Sequence, residues 1–271
     1  MDFISRLIDI TVNAGLVAMK YYNQSYNIKN KDDQTPVTEA DLAVNDFIIT
    51  SLTKLYPDIA ILSEENSKAE NLNALNSKRL FIIDPIDGTE AFIEKRPEFT
   101  INIGLVENNQ FKSGFVYVPR LDILYYNDYE NAYKVSNASG QNPVKNLLGK
   151  KEYIQKEQLT ITTSHRIHEI LQIEKELQQL NIKVKEFIRP SSSYKFCLVA
   201  EDIADLYLRR PQAGMKIWDA AAAIAILNAS NKLILDLNFQ EINFNSLKSG
   251  VIVPPFNIFA FKQLITLFKS D

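Results

Sequence analysis

The sequence predicts a layered chain of mixed α+β and α/β character, in which helices and sheets alternate across two subdomains. Three observations carry that expectation. Two helical segments occupy the first third, a series of short strand-like runs follows them, and beyond a polar stretch the pattern switches to alternating helix and strand. At 271 residues the chain can bury a sizeable core, as one large domain or two compact ones.

The first segment, Phe3 to Tyr22, is apolar, but Asp2, Arg6, Asp9 and Lys20 punctuate it at amphipathic spacing. It therefore reads as a docked first helix rather than a signal peptide. After the polar segment NIKNKDDQTPV, Thr38 is placed to cap a second helix with Asp41 at the capping-box position. Leu42, Phe47, Ile48, Leu52 and Leu55 supply its expected apolar face, and Pro57 follows the stop. The runs IAILS, RLFIID, FTINIGLVEN, FKSGFVYVP and DILYYND, separated by Gly, Pro, Asn and Asp, predict a largely antiparallel sheet.

The polar stretch 136–158 is the expected boundary, dividing the chain into subdomains 1–150 and 151–271. Beyond it LTITTS, KVKEFI, KFCLVA and KLILDL read as strands, and HEILQIEKELQQL and DAAAAIAILNAS as helices. The chemistry is expected between the two subdomains.

Composition excludes several function classes. No stretch approaches the roughly 20 apolar residues that span a bilayer. The net charge of -3 provides no basic footprint, so a nucleic-acid polymer is not the expected partner. The single cysteine, Cys197, forms no intramolecular disulfide, which fits a cytoplasmic location. Two histidines, His165 and His168, with that one cysteine are too few for a tetrahedral zinc site, which leaves oxygen ligands and a hard cation.

FIIDPIDGTEAF, residues 81–92, is the most informative segment. An apolar strand runs directly into Asp84 and Asp87, and Pro85 restrains the turn between them so that the two carboxylates can converge. A helix starting at Gly88 and Thr89 would aim its backbone N–H groups into the same space, setting an anion site beside a cation site. Either Asp pair alone reads as an ordinary turn. The full string DPIDGT has chance odds of roughly one in a hundred thousand at average residue frequencies. Taken singly, Glu64 and Glu65 of ILSEE read as a solvated pair, and Asp219 of KIWDAAAAIAIL as a helix cap.

DPIDGT after the apolar FII resembles the signature of the lithium-sensitive, magnesium-dependent phosphatases related to inositol monophosphatase. ILSEE, KIWDAAAAIAIL and KDDQTPVTEAD resemble the family's paired glutamates, its Trp-Asp motif and its amino-terminal loop with the start of the second helix. The resemblance covers nearly the whole chain and implies an α-β-α-β-α sandwich. It implies one Mg2+ on Glu64, Asp84 and the Ile86 carbonyl, and a second on Asp84, Asp87 and Asp219, with room for a third near Asp41 and Glu64. It further implies an attacking water activated by metal and oriented by Thr89 with Asp33, phosphate held on the N–H groups of Gly88 and Thr89, and Glu65 in support. As ligands beside the phosphate, Glu64, Ile86, Asp87 and Asp219 count among the substrate-binding residues too.

The second half is expected to choose the small phosphorylated substrate. SSSYKFCLVAEDIADLYLR, residues 191–209, resembles the bacterial CysQ-type branch, the 3'(2'),5'-bisphosphate nucleotidases that hydrolyse adenosine 3',5'-bisphosphate. Its second phosphate would meet Lys195, Arg209 or Lys216 with Ser192 or Ser193. An inositol monophosphatase or sugar bisphosphatase is the alternative enzyme, and a silent nucleotide-binding relative the alternative of another class. Intact Glu64, Asp84, Asp87, Thr89 and Asp219 argue against silence. RRPQAGM is longer than in most bacterial relatives, and Ala223 stands where the family usually has glycine.

Overall fold

A computed structural model of the chain describes residues 1–24, 28–30, 36–149, 151–210, 215–244 and 252–268. In chain order its first half contains α1 (Phe3–Tyr22), β1 (Ile28–Asn30), β2 (Pro36–Thr38), α2 (Glu39–Leu55), β3 (Ala60–Ser63), α3 (Lys68–Ala74), β4 (Arg79–Asp87), α4 (Thr89–Ile93), β5 (Thr100–Glu107), β6 (Gln110–Val118), β7 (Ile123–Asn127), β8 (Ala132–Ser136) and β9 (Val144–Leu147). The second half contains β10 (Leu159–Thr162), α5 (Ile167–Gln179), β11 (Val184–Ile188), α6 (Tyr194–Ala200), β12 (Leu206–Arg209), β13 (Met215–Lys216), α7 (Ala221–Ala229), β14 (Leu233–Asp236), β15 (Ile252–Val253), β16 (Phe256–Phe259) and a 3-10 helix, Lys262–Leu267.

The capping box at the start of α2 is closed in both directions. Thr38 Oγ accepts from the Asp41 N–H, and Asp41 Oδ2 accepts from the Thr38 N–H at 2.8 Å. The buried face of α2 is Ala40, Val44, Ile48 and Leu52, whereas Leu42 and Leu55 are exposed. Leu42 lies off the i, i+4 stripe set by Val44 and Ile48, whereas Leu55 lies on it but is the last residue of the helix, where the covered face ends.

A seven-stranded sheet, in the order β3-β4-β5-β6-β7-β8-β9, is antiparallel except for the parallel β3–β4 pair. Strand alternation separates its two faces. Phe81, Ile83, Ile103 and Phe115 pack against Leu7, Ala14, Val44 and Ile48 of α1 and α2. Leu80, Ile82, Val106 and Val116 pack on the other side against α6 and α7. The same helices cover Tyr207, Phe256 and Ile258 of a five-stranded sheet ordered β11-β10-β12-β16-β14. On that sheet's far face Ile161, Leu206 and Phe259 meet Ile173 and Leu177 of α5 and Leu264 of the 3-10 helix. Helices, sheet, helices, sheet and helices thus make five layers, as the resemblance implied.

The middle layer explains one departure from the sequence reading. KFCLVA is the body of α6 and not a strand. Lys195 to Ala200 are all buried between two sheets, so no polar face reveals a period, and a short apolar run fits either element. The same layer sets close approaches. A Cβ on Gly114 of β6 would lie 1.9 Å from the Ala222 carbonyl oxygen of α7, so only glycine lets helix and strand seat together. Ala223 is fully enclosed in this helix, where a small residue is what the packing accepts.

The polar stretch 136–158 includes β9, which continues the first sheet by pairing with β8. Helices from beyond that stretch cover the first sheet, so the two halves share one core across the middle layer. Among the described residues no helix is long and apolar enough to cross a membrane.

Candidate active site

The site lies where β4 ends against the amino ends of α6 and α7. Asp84 and Asp87 are three residues apart, which on a regular strand would send them to opposite faces. The register corrects this. Asp84 pairs with Asn102 and Asp87 with Thr100, three steps on β4 against two on β5, and the extra residue re-aims the strand end. Glu64 joins from the turn directly after the neighbouring strand β3, its N–H donating to the Ile83 carbonyl at 3.2 Å. Asp219 comes from the tight turn before α7, where its Oδ2 accepts from the Lys216 N–H at 2.9 Å. It closes that turn rather than capping the helix, whose N-cap is Ala220.

Carboxylate oxygens of Glu64, Asp84 and Asp219 lie within 4.8 Å of one another. Asp84 is 1% exposed, and its Oδ1 is buried with no hydrogen-bond partner. Burial, reinforced by Glu64, Asp87, Asp219 and Asp41, pushes the Asp84 carboxyl well above the usual range. Burial, then Asp87 and Glu64, does the same to Asp219. An orphaned buried oxygen inside a cluster of mutually repelling acids is what a hard divalent cation relieves, and the donor set is entirely oxygen. The residues present fit Mg2+.

Asp87 stands beside this triplet. Its Oδ2 accepts from the Ser193 N–H at 2.5 Å, from Ser193 Oγ at 2.7 Å and from Asn102 Nδ2 at 3.2 Å. Gly88 then turns the chain into α4 with φ +87°, a left-handed conformation suited to glycine. Thr89 Oγ lies 3.2 Å from the Ile86 carbonyl oxygen and 3.4 Å from Asp41 Oδ1. Asp41 is therefore shared between the α2 capping box and the site. The Ile86 side chain is buried in the core, so only its backbone faces the chemistry. Glu65 is partly exposed, and its N–H donates to Ser63 Oγ at 3.4 Å. Asp33, and residues 211–214 of the long RRPQAGM segment, lie outside the described residues.

The residues expected to select substrate are placed differently from one another. Ser192 Oγ donates to the Glu98 carbonyl at 2.6 Å. Lys195 is buried, with Nζ donating to the Pro190 carbonyl at 3.2 Å. Burial lowers its pKa to about 8 against the upward pull of Asp87. Arg209 Nη1 donates to Glu169 Oε2 at 3.1 Å, and Glu169 is fully buried. The partly buried Lys216 contributes the N–H that holds Asp219. His165 and His168 are exposed, and the His165 ring stands 3.5 Å from Arg96.

Asn102 and Glu169 were not legible as site residues. Asn102 left one signal, a polar residue in the middle of the otherwise apolar run FTINIGLVEN. Glu169 left none, because an acid in the first turn of an amphipathic helix is ordinary.

The fold and carboxylate geometry are those of a phosphatase family, and the comparison is direct: the profile of the Inositol monophosphatase family matches residues 2–269, and the chain belongs to that family. Its relatives narrow the branch. The chain is 32% identical over 251 residues to the 3'(2'),5'-bisphosphate nucleotidase CysQ of Buchnera aphidicola, covering 92% of this chain and 89% of that one. It is 33% identical over 254 residues to CysQ of Salmonella typhimurium, covering 91% and 95%. The solved structure of CysQ from Bacteroides thetaiotaomicron superposes with a TM-score of 0.76 at 29% identity, covering 94% of this chain and 96% of that one.

Proposed function

We propose that this chain is a Mg2+-dependent phosphomonoester hydrolase that converts adenosine 3',5'-bisphosphate and water to AMP and phosphate. The observation that carries the reading is the cluster of Glu64, Asp84 and Asp219 around the unpartnered Asp84 Oδ1. Glu64, Asp84 and the Ile86 carbonyl would hold one ion, and Asp84, Asp87 and Asp219 a second, with Asp41 and Glu64 beside a third position. Bound there, Mg2+ supplies positive charge for the phosphoryl oxygens and makes water a stronger nucleophile at neutral pH.

The chain's own groups do the positioning. Thr89 Oγ, backed by Asp41 Oδ1, offers a lone pair to a proton of the attacking water, and Asp41 stands ready to take the hydroxyl proton in turn. Asp33 and Glu65 would support that orientation. The N–H groups of Gly88 and Thr89 hold the transferring phosphate at the start of α4. The water oxygen bonds to phosphorus and gives up a proton toward Thr89 and Asp41, the bond from phosphorus to the 3'-oxygen breaks, and that oxygen takes a proton from solvent, so one water is consumed and no net proton is lost. Lys195, Arg209 and Lys216 would offer the second phosphate counter-charge, and Ser192 a hydroxyl.

Phosphate release from adenosine 3',5'-bisphosphate, inositol 1-phosphate and fructose 1,6-bisphosphate, each with Mg2+, tests the substrate. The nucleotide is expected to have the highest kcat/KM. A preference for inositol 1-phosphate defeats the nucleotidase assignment while leaving a metal-dependent phosphatase.

A further inference from the structure

By sequence Ser193 is a candidate to meet the substrate, but its polar atoms face the other way. The residue is 1% exposed, and both its N–H and its Oγ lie against Asp87 Oδ2. A serine hydroxyl has one proton and two lone pairs. Asn102 Nδ2, at 2.9 Å, donates to the Oγ, whose own proton is shared between Asp87 Oδ2 and the Asp219 carbonyl. Asn102 gives its other N–H to the same Asp87 oxygen. Three donors thus converge on one oxygen of a single carboxylate, drawn from two elements, α6 and β5.

We propose that Ser193, with Asn102, is a positioning residue that fixes Asp87 for the metal and ties the helix carrying Lys195 to the carboxylate cluster. The inference rests on the metal-site reading above. Three converging donors on Oδ2 set the plane of the Asp87 carboxylate and leave Oδ1 for a cation, so less ordering is left to the moment of binding. Partners that orient a metal-ligating group in this way commonly account for 10- to 100-fold in metal affinity, a scale of about two decades at most. The Ser193 contact to the Asp219 carbonyl places a second ligand-bearing segment under the same restraint. Ser193 therefore acts on substrate through Asp87 and Asp219, without touching it.

The test is calorimetric titration of Mg2+ alone into the metal-free full chain, unmodified and as Ser193→Ala, together with steady-state kinetics at saturating Mg2+. Ser193→Ala is expected to weaken Mg2+ binding by about 10- to 100-fold while KM for adenosine 3',5'-bisphosphate moves by less than about threefold. Unchanged Mg2+ affinity overturns the inference, and unchanged affinity with a raised KM assigns Ser193 to substrate contact instead. Absence of Mg2+ binding by the unmodified chain overturns the metal-site reading itself. If Ser193→Ala does not fold, Asn102→Ser removes another donor to the same oxygen and carries the same expectations.

Discussion

Asp84→Asn is expected to lower turnover by about three orders of magnitude, equivalent to roughly 4 kcal/mol of transition-state stabilisation. Among the clustered acids Asp84 is the most enclosed, and Glu64, Asp87, Asp219 and Asp41 all bear on it. An amide keeps the shape of the side chain and removes the charge that a cation needs. The fold should survive, because the substitution also removes like-charge repulsion from a buried site. The metal-free variant is accordingly expected to melt no lower than the unmodified metal-free chain. Phosphate release at saturating Mg2+ and a thermal melt check the two halves of the result. Near-normal turnover would remove Asp84 from the mechanism.

Lys195→Met is expected to reduce kcat/KM for adenosine 3',5'-bisphosphate by about 10- to 150-fold, with a much smaller loss on inositol 1-phosphate. A charge-assisted contact to phosphate is worth roughly 1.5 to 3 kcal/mol, and inositol 1-phosphate lacks the second phosphate that would receive it. Methionine is the informative replacement. Burial holds Lys195 down near 8, so its ammonium costs folding energy that a thioether of similar length avoids. Arg209 offers no such clean test. Its truncation would leave the fully buried Glu169 without that counter-charge, held by Ser164 Oγ and the Arg210 N–H, a change that can cost about 3 to 5 kcal/mol and would report on folding before binding. Parallel kinetics on the two substrates decide the matter, and equal losses on both would assign Lys195 to the fold or to the phosphate at the metals.

The parts of the molecule legible in the sequence are those in which local chemistry determines structure. Thr38 and Asp41 announce the start of α2 because the capping box is completed within four residues. Asp84 and Asp87 announce the site because the whole string DPIDGT, unlike either acid pair alone, is too specific for an ordinary turn. What stayed hidden depends on neighbours distant in sequence. KFCLVA becomes helical because two sheets enclose it, and nothing within the segment records both. The bulge that brings Asp84 and Asp87 to one side is visible only once β4 and β5 are in register. Ser193 reads locally as a candidate substrate contact, because serines near a lysine suit phosphate. Its attachment to Asp87, 106 residues earlier in the chain, could not be read locally. The same reason hid the clamp of Glu169 on Arg209.

If a cation held by the acid cluster drives hydrolysis of the 3'-phosphate, removing that cation stops the reaction. The most direct measurement follows both products from adenosine 3',5'-bisphosphate, first with the protein stripped of metal by a chelator and then with Mg2+ restored. No turnover is expected in the stripped protein, and on restoration AMP and phosphate should form in equal amounts with the 5'-phosphate intact. Hydrolysis that persists without metal, or that releases the 5'-phosphate in preference, would contradict that expectation.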